Sequence, residues 1–519
     1  MTAKRSNPVK LAGNIMTVGV WTLLSRVLGM GREVLLYALI GAGPLLDAFI
    51  VAFRLPNMFR RFTAEGAFNA AFVPLFSKRL EADDDPLGFA SQAMGGLGFV
   101  LLLLSALAMI FMPALVWVTA GGFIGDARFD LAVGYGRVMF PYILLISLAA
   151  LLSGALNAQG RFAMAAAAPV FLNILIIAAL LMAWALGRSA ILFLIWSVPI
   201  AGAVQLGLLW WAAWRAGLKI TLGRPRLSPQ MRHLVKVAIP AALAGGVMQI
   251  NLLVGQLVSS QYADAVSWLY GADRLYQLPL GVVGIAVGIV LLPELSRRLQ
   301  AKDDIGARTA FSRAGEITLA LSLPAAVALC VIPLPLVSAL FEHGATGRSA
   351  AEAMALATAI YGLGLPAFVL QKLLQPVYFA REDTKTPFRY AVVSMIVNAA
   401  LAVGLMPAVG WVAPAIATTV SAWILVALLM LGTRRYGAVA QFDHRFKARL
   451  PRIAIAALAM GAVLWAAASA LDPWVTSTLQ RIGLAAFLVV AGVIAYGICG
   501  RITGAFSGAE LRGALRRSR

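Results

Sequence analysis

Charge is scarce in this chain and acidic charge scarcest: 22 Asp and Glu stand against 43 Lys and Arg, and both signs together make up 13% of 519 residues. A soluble domain carries about 25% charged residues, so a water-facing surface of ordinary size is excluded. Cysteine is almost absent. Cys330 and Cys499 both fall inside apolar runs, which argues against a disulfide framework and reads as small apolar packing. The three histidines, His233, His343 and His444, lie too far apart to form a metal-ligand pair and read as solvated. There is also no Walker loop and no nucleophile elbow, so neither nucleotide hydrolysis nor hydrolytic chemistry has a basis, and no enzyme is expected.

What is present is apolar. Hydrophobic residues reach 61% and mean hydropathy is +0.86. Runs of about 20 apolar residues recur along the chain, long enough to cross a hydrocarbon layer of about 30 Å as helices, without the alternation of barrel strands. The expected fold is an all-α polytopic membrane protein with about fourteen spans, near 14–40, 46–78, 88–120, 133–157, 165–187, 190–214, 232–260, 268–296, 314–339, 352–378, 388–407, 412–433, 451–470 and 478–499. The first run contains Arg26, Arg32 and Glu33 and lacks a clear small-residue cleavage site, so it is expected to stay in the mature protein.

The net charge of +21 is scattered along the chain and does not form a nucleic-acid footprint. It follows topology instead. One set of connections carries Lys4, Arg5 and Lys10, then Lys78 and Arg79, Arg161, the stretch from Arg215 to Lys236, Arg297, Arg298 and Lys302, Arg381 and Lys385, the stretch from Arg434 to Arg452, and the tail from Arg512. The alternate set, including "GAGPLL", "GGFIGDARFD" and "FEHGATGRS", is nearly bare. By the positive-inside rule the basic set and both termini face the cytoplasm.

An internal repeat organises the runs. "PLFSKRLEADD" from Pro74 matches "PELSRRLQAKD" from Pro293, and each closes a span that carries an Arg-Leu pair, Arg54-Leu55 or Arg274-Leu275, at an offset of about 220 residues. A weaker echo pairs "LNAQGRF" with "YFAREDT". Six spans separate the copies, an even number, so the copies share one orientation, as in transporters built from parallel repeats. The expected organisation is a six-helix lobe over 1–215, an amphipathic cytoplasmic linker over 216–230, a second six-helix lobe over 231–436, and two further helices with a basic tail over 437–519. Two such lobes can enclose a cleft that opens to alternate sides.

Ionisable groups at membrane depth cost several kcal/mol unless they face water or pair. In span two, Asp47, Arg54 and Arg61 are seven apart and share a stripe with Asn57 and Glu65, whereas Arg60 stands about 100° off it, with Pro56 able to distort the helix between them. In span one, Arg26 and Glu33 share a face and Arg32 points about 120° away, and a segment weakened or broken at Gly29 and Gly31 is the means by which both arginines could serve one cavity. Span eight adds Asp273 and Arg274. The bases outnumber the acids, which leaves an anionic substrate as the missing partner. The competing reading is snorkelling to headgroups, favoured for Arg161, Arg297 and Arg298, while Glu65 and Asp273 also fit internal ion pairs.

The stretches "SRVLGMGRE", "GAGPLLDAFIVAFRLPNMFRRFTAEGAFNAAFVP", "FPYILLISLAALLSGALNAQGRFAMAAAAPVFLN" and "ADRLYQLPLGVVGIAVGIVLLP" closely resemble the MurJ (MviN) family of lipid II flippases. The resemblance spans the whole chain. It implies the fold of the multidrug/oligosaccharidyl-lipid/polysaccharide exporter superfamily, with two last helices forming a groove for a lipid tail. It implies that the essential cavity arginines are Arg26, Arg32, Arg60 and Arg274, with Asp47, Arg54, Asn57 and Glu65 also tied to function; Arg54 replaces a lysine common there. The family thus favours Arg60 where the stripe favoured Arg61. It further implies no cofactor, lipid II and membrane lipids as partners, cell-wall synthesis machinery as a further candidate partner, and the bacterial inner membrane as location; coupling to a monovalent ion has no visible ligand set. Rival readings are a flippase for another polyprenyl-diphosphate glycan, a multidrug exporter, which should favour acids over arginines, and a membrane glycosyltransferase, for which "EADDD" at 81–85 is the sole acidic run.

Overall fold

A chain in hydrocarbon must satisfy its backbone hydrogen bonds within each segment, which leaves helices as the economical solution. The computed structural model describes residues 8–60, 67–226 and 228–505, and every regular element among them is helical. Clustering of Cα positions separates two units, 1–266 and 267–519.

The first unit holds α1 (Pro8–Leu39), α2 (Pro44–Arg60), α3 (Ala67–Ala82), α4 (Pro86–Ile110), α5 (Met112–Thr119), α6 (Ala127–Met139), α7 (Tyr142–Ala158), α8 (Ala163–Ala185), α9 (Ala190–Arg215) and α10 (Pro229–Ser259). Helix α1 packs on α8, α8 and α7 on α9, α2 on α6, and α10 on α3. Helix α10 follows the linker and begins the second copy of the repeat, yet it clusters with the first unit. The second unit holds α11 (Ala265–Gln300), most of which it contains, α12 (Asp304–Val331), α13 (Pro333–Phe341), α14 (Arg348–Phe379), α15 (Lys385–Gly404), α16 (Met406–Val409), α17 (Ala413–Thr433), α18 (His444–Leu471) and α19 (Thr478–Ile502). Here α14 lies between α12 and α17, α15 packs on α17, and the α18–α19 pair packs on α12 and α13.

Ten helical stretches among the described residues are long and apolar enough to span a membrane, and they coincide with expected spans three to six and nine to fourteen. The other four expected spans include the three that carry the arginines of interest. Helices α1, α10 and α11 have 32, 31 and 36 residues, so at about 1.5 Å per residue each exceeds the hydrocarbon thickness. Expected span two is found as α2 and α3, on either side of residues 61–66, which lie outside the described residues. Large apolar side chains such as Leu458, Trp465, Phe487 and Val493 on α18 and α19 are exposed, as lipid-facing surfaces require.

Local structure repeats with the sequence. Asp85 caps α4 by accepting from the Gly88 N–H at 3.0 Å, and Asp303 caps α12 by accepting from the Gly306 N–H at 2.8 Å. A Cβ on either glycine would lie 2.0 Å from Asp85 Oδ2 or 1.9 Å from Asp303 Oδ2, so the capping carboxylate would have to move. Arg79 pairs with Asp84 at 3.3 Å, and Arg298 with Asp303 at 2.9 Å, each five residues on. Both copies also break a long helix ahead of a short one, α4 into α5 and α12 into α13, with Pro113 or Pro333 in the first turn of the restart.

The linker has no regular secondary structure over 218–226. It buries Leu218 and Ile220 and docks on α4, where Ser91 Oγ accepts from the Thr221 N–H at 3.1 Å and the Ser91 carbonyl from the Gly223 N–H at 3.0 Å. Glycine at both positions permits the approach: a Cβ on Gly95 would lie 1.8 Å from the Gly223 carbonyl oxygen.

Candidate functional site

Helix α1 runs unbroken through Gly29 and Gly31, so of the two alternatives the broken segment is not found. Arg26 is exposed. One turn and a half further on, Arg32 is drawn in by partners: its guanidinium pairs with the neighbouring carboxylate of Glu33, which is 2% exposed, and donates to Asn173 Oδ1 of α8 at 3.1 Å. The same Asn173 donates back to the Ser25 carbonyl at 3.0 Å. Thus a single amide on α8 fixes both the path of α1 and the heading of Arg32.

Along α2 the expected stripe is partnered within the first unit. Asp47, in the first turn and fully buried, accepts from Arg128 of α6 at 3.3 Å. Two turns on, Arg54 donates to Gln256 Oε1 of α10 at 3.2 Å, and Gln256 donates to the Thr119 carbonyl at 3.2 Å. Asn57 donates one turn back to the Phe53 carbonyl at 3.0 Å. Arg60, the last residue of α2, is half-buried. Glu65 and Arg61 lie outside the described residues.

In the second unit, Arg274 sits over the ring of Tyr270 at 4.3 Å, a cation–π contact one turn away on the same helix. Asp273 accepts from Gln277, also one turn away. Tyr276 stacks with Phe368 and leans on Tyr361, packed against a core of Leu269, Ala272, Ala357 and Ala415. Arg297 and Arg298 both pair with Glu294, as helix-end side chains do.

Three participants escaped the sequence reading. Asn173 and Gln256 are lone polar residues in apolar runs, a signal that membrane depth makes meaningful. Arg128 had no such signal, since it lies in a connection between spans. Its N–H and guanidinium both donate to Asp126, which holds that carboxyl below the usual carboxylate range. Asp264 in the turn after α10 is pushed up by burial, with the Arg128 charge opposing. Among the described residues no group of three or more His, Cys, Asp or Glu could hold a metal ion.

Guanidinium groups such as those of Arg32 and Arg274 bind anions by charge-assisted hydrogen bonds. The sequence matches the family described as "Lipid II flippase MurJ" over residues 36–485. It is 42% identical over 521 residues to a probable lipid II flippase MurJ of Rhizobium tropici, covering 98% of each chain, and 45% identical over 507 residues to one of Rhizobium meliloti, covering 95% of each. Its fold is similar to a solved lipid II flippase MurJ in an inward closed conformation, with a TM-score of 0.79 at 24% identity over 94% of this chain and 98% of that one. An inward-facing multidrug resistance MATE family transporter gives a TM-score of 0.67 at 14% identity, over 82% and 98%. The chain belongs to the MurJ family of lipid II flippases.

Proposed function

We propose that this protein carries lipid II from the cytoplasmic to the periplasmic leaflet of the bacterial inner membrane, with both termini in the cytoplasm. The observation that carries the reading is that Arg26, Arg32, Arg54, Arg60 and Arg274 outnumber Glu33, Asp47 and Asp273 on α1, α2 and the first half of α11, in an apolar chain. Such charge is expensive at membrane depth unless a substrate repays it. A diphosphate does so, because the planar guanidinium fork binds its oxygens in pairs. Arg26, Arg32, Arg60 and Arg274 are the proposed head-group contacts, with Arg54, Asp47, Asn57, Glu65 and Asp273 shaping the site around them.

Transport then needs two conformations that bind the head group from opposite sides of the membrane, while the polyprenyl tail stays in the bilayer beside α18 and α19. No covalent bond changes. The membrane potential is a sufficient source of bias, worth about 2.3 kcal/mol per charge per 100 mV. The test is translocation of radiolabelled lipid II in proteoliposomes, run beside other polyprenyl-diphosphate glycans. Lipid II moved in preference to the others supports the reading; no movement of lipid II rejects it.

A further inference from the structure

Arg128 has the contacts of a residue that holds a site together. It lies in the first turn of α6 and is 5% exposed, a depth that an arginine reaches only when its donors are used. Its Nε donates to Asp126 at 2.6 Å, while its Nη1 donates to Asp47 at 3.3 Å and to the Tyr262 carbonyl at 3.1 Å. Its flat face covers the Phe123 ring at 4.4 Å. One side chain therefore joins the start of α2, the start of α6 and the segment that leaves α10. A second contact presses the same segments together: the Gly122 N–H donates to Ser260 Oγ at 3.1 Å, and a Cβ on Gly122 would lie 2.4 Å from the Gln261 nitrogen.

Asp47 meanwhile has no exposed surface. A carboxylate buried against arginine has no face left for an anionic head group, which it would in any case repel. We propose that Arg128 is a positioning residue for transport: it neutralises Asp47 and ties the beginning of α2 to the turn after α10, so that Asp47 serves transport through Arg128 and not through substrate. The inference rests on the proposed flippase reading.

The test combines transport with hydrogen exchange in the full-length protein. Removing one charge of the Asp47–Arg128 pair unbalances it, more so in Arg128→Gln because Arg128 also holds Asp126, whereas removing both charges of the pair restores its balance. Asp47→Asn and Arg128→Gln should each lower lipid II flipping by about tenfold or more, and the double variant should recover at least about threefold over Asp47→Asn. In Arg128→Gln, amide exchange should rise together over 44–50 and over 258–264. Arg128→Lys keeps the charge and guards against loss of the Gln variant; one ammonium lacks the fork that serves several acceptors, so exchange over 258–264 should still rise. A double variant no better than Asp47→Asn, or unchanged exchange in Arg128→Lys and Arg128→Gln, overturns the proposal. If the unaltered protein fails to flip lipid II, the flippase reading falls, and the exchange data alone decide the tie.

Discussion

Replacing Asn173 with alanine separates the positioning of Arg32 from the stability of the fold. The side chain makes two good contacts between α8 and α1, one from Arg32 at 3.1 Å and one to the Ser25 carbonyl at 3.0 Å. In water a charge-assisted bond and a neutral bond together would be worth about 2–4 kcal/mol. Within a membrane, polar contacts between helices average about 0.6 kcal/mol and reach about 1.7, because the unfolded chain also finds partners there. The sum for two is therefore about 1–3 kcal/mol, which is less than the usual stability of about 5–15 kcal/mol. Asn173→Ala should accumulate in the membrane and melt only a few degrees lower. Transport is more sensitive, since Arg32 keeps Glu33 but loses the acceptor that aims it; a loss of about 1.4 kcal/mol of head-group binding is about tenfold in rate. Initial rates of lipid II flipping and thermal unfolding, measured on the same preparation, give both numbers. A variant that flips at the unaltered rate while Arg32→Ala is dead would refute the aiming argument, and one that fails to fold would refute the energy estimate.

Other expected outcomes follow from the same contacts. Gly95→Ala places a methyl against the Gly223 carbonyl and should undock the linker at a cost of about 1–3 kcal/mol; faster tryptic cutting after Arg226, which Leu227 follows, measures it. Asp383 is half-buried, which works against its charge, but the Thr386 N–H, the Tyr436 hydroxyl and the Arg435 guanidinium hold its carboxyl down to about 2. Its folded value lies below the ordinary value of about 3.9, so its contribution to stability is present above about pH 4 and is lost as pH falls through about 2. Asp383→Asn should accordingly unfold at lower temperature than the unaltered protein at pH 7, with the gap closing in that window. Single cysteines in 216–230 and 341–349 of a cysteine-free variant should label from the cytoplasm and the periplasm respectively; the reverse pattern would invert the topology.

The helical membrane fold was legible because hydrocarbon permits few alternatives: length and apolarity alone located ten of the spans found. The repeat was legible for a similar reason. Its motifs encode an ion pair that recurs at matching positions, Arg79 with Asp84 and Arg298 with Asp303, and each copy leads into a helix capped by an aspartate, Asp85 or Asp303. Helical spacing placed Asp47 and Arg54 on one stripe, and both are partnered by neighbouring helices of their unit. It could not say by whom, because Arg128, Gln256 and Asn173 are 81, 202 and 141 residues distant from their partners. Spacing also suggested a break in α1 that is not there. Glycine lowers the cost of a break, but packing of α1 along α8 favours the continuous helix. The linker read as amphipathic, and it buries Leu218 and Ile220 while Lys219 between them is exposed.

The central claim is that arginines on α1, α2 and α11 bind the anionic head of lipid II, and lipid II flipping by arginine variants tests it most directly. Arg26→Ala, Arg32→Ala, Arg60→Ala and Arg274→Ala should each abolish flipping while the protein remains folded in the membrane. Lysine at these positions should rescue poorly, since an ammonium lacks the paired donors. Arg297→Ala, whose side chain is 73% exposed at a helix end, should flip normally. If well-expressed Arg26→Ala, Arg32→Ala and Arg274→Ala all flip lipid II at the unaltered rate, the arginines serve the headgroups of the bilayer and the account is wrong.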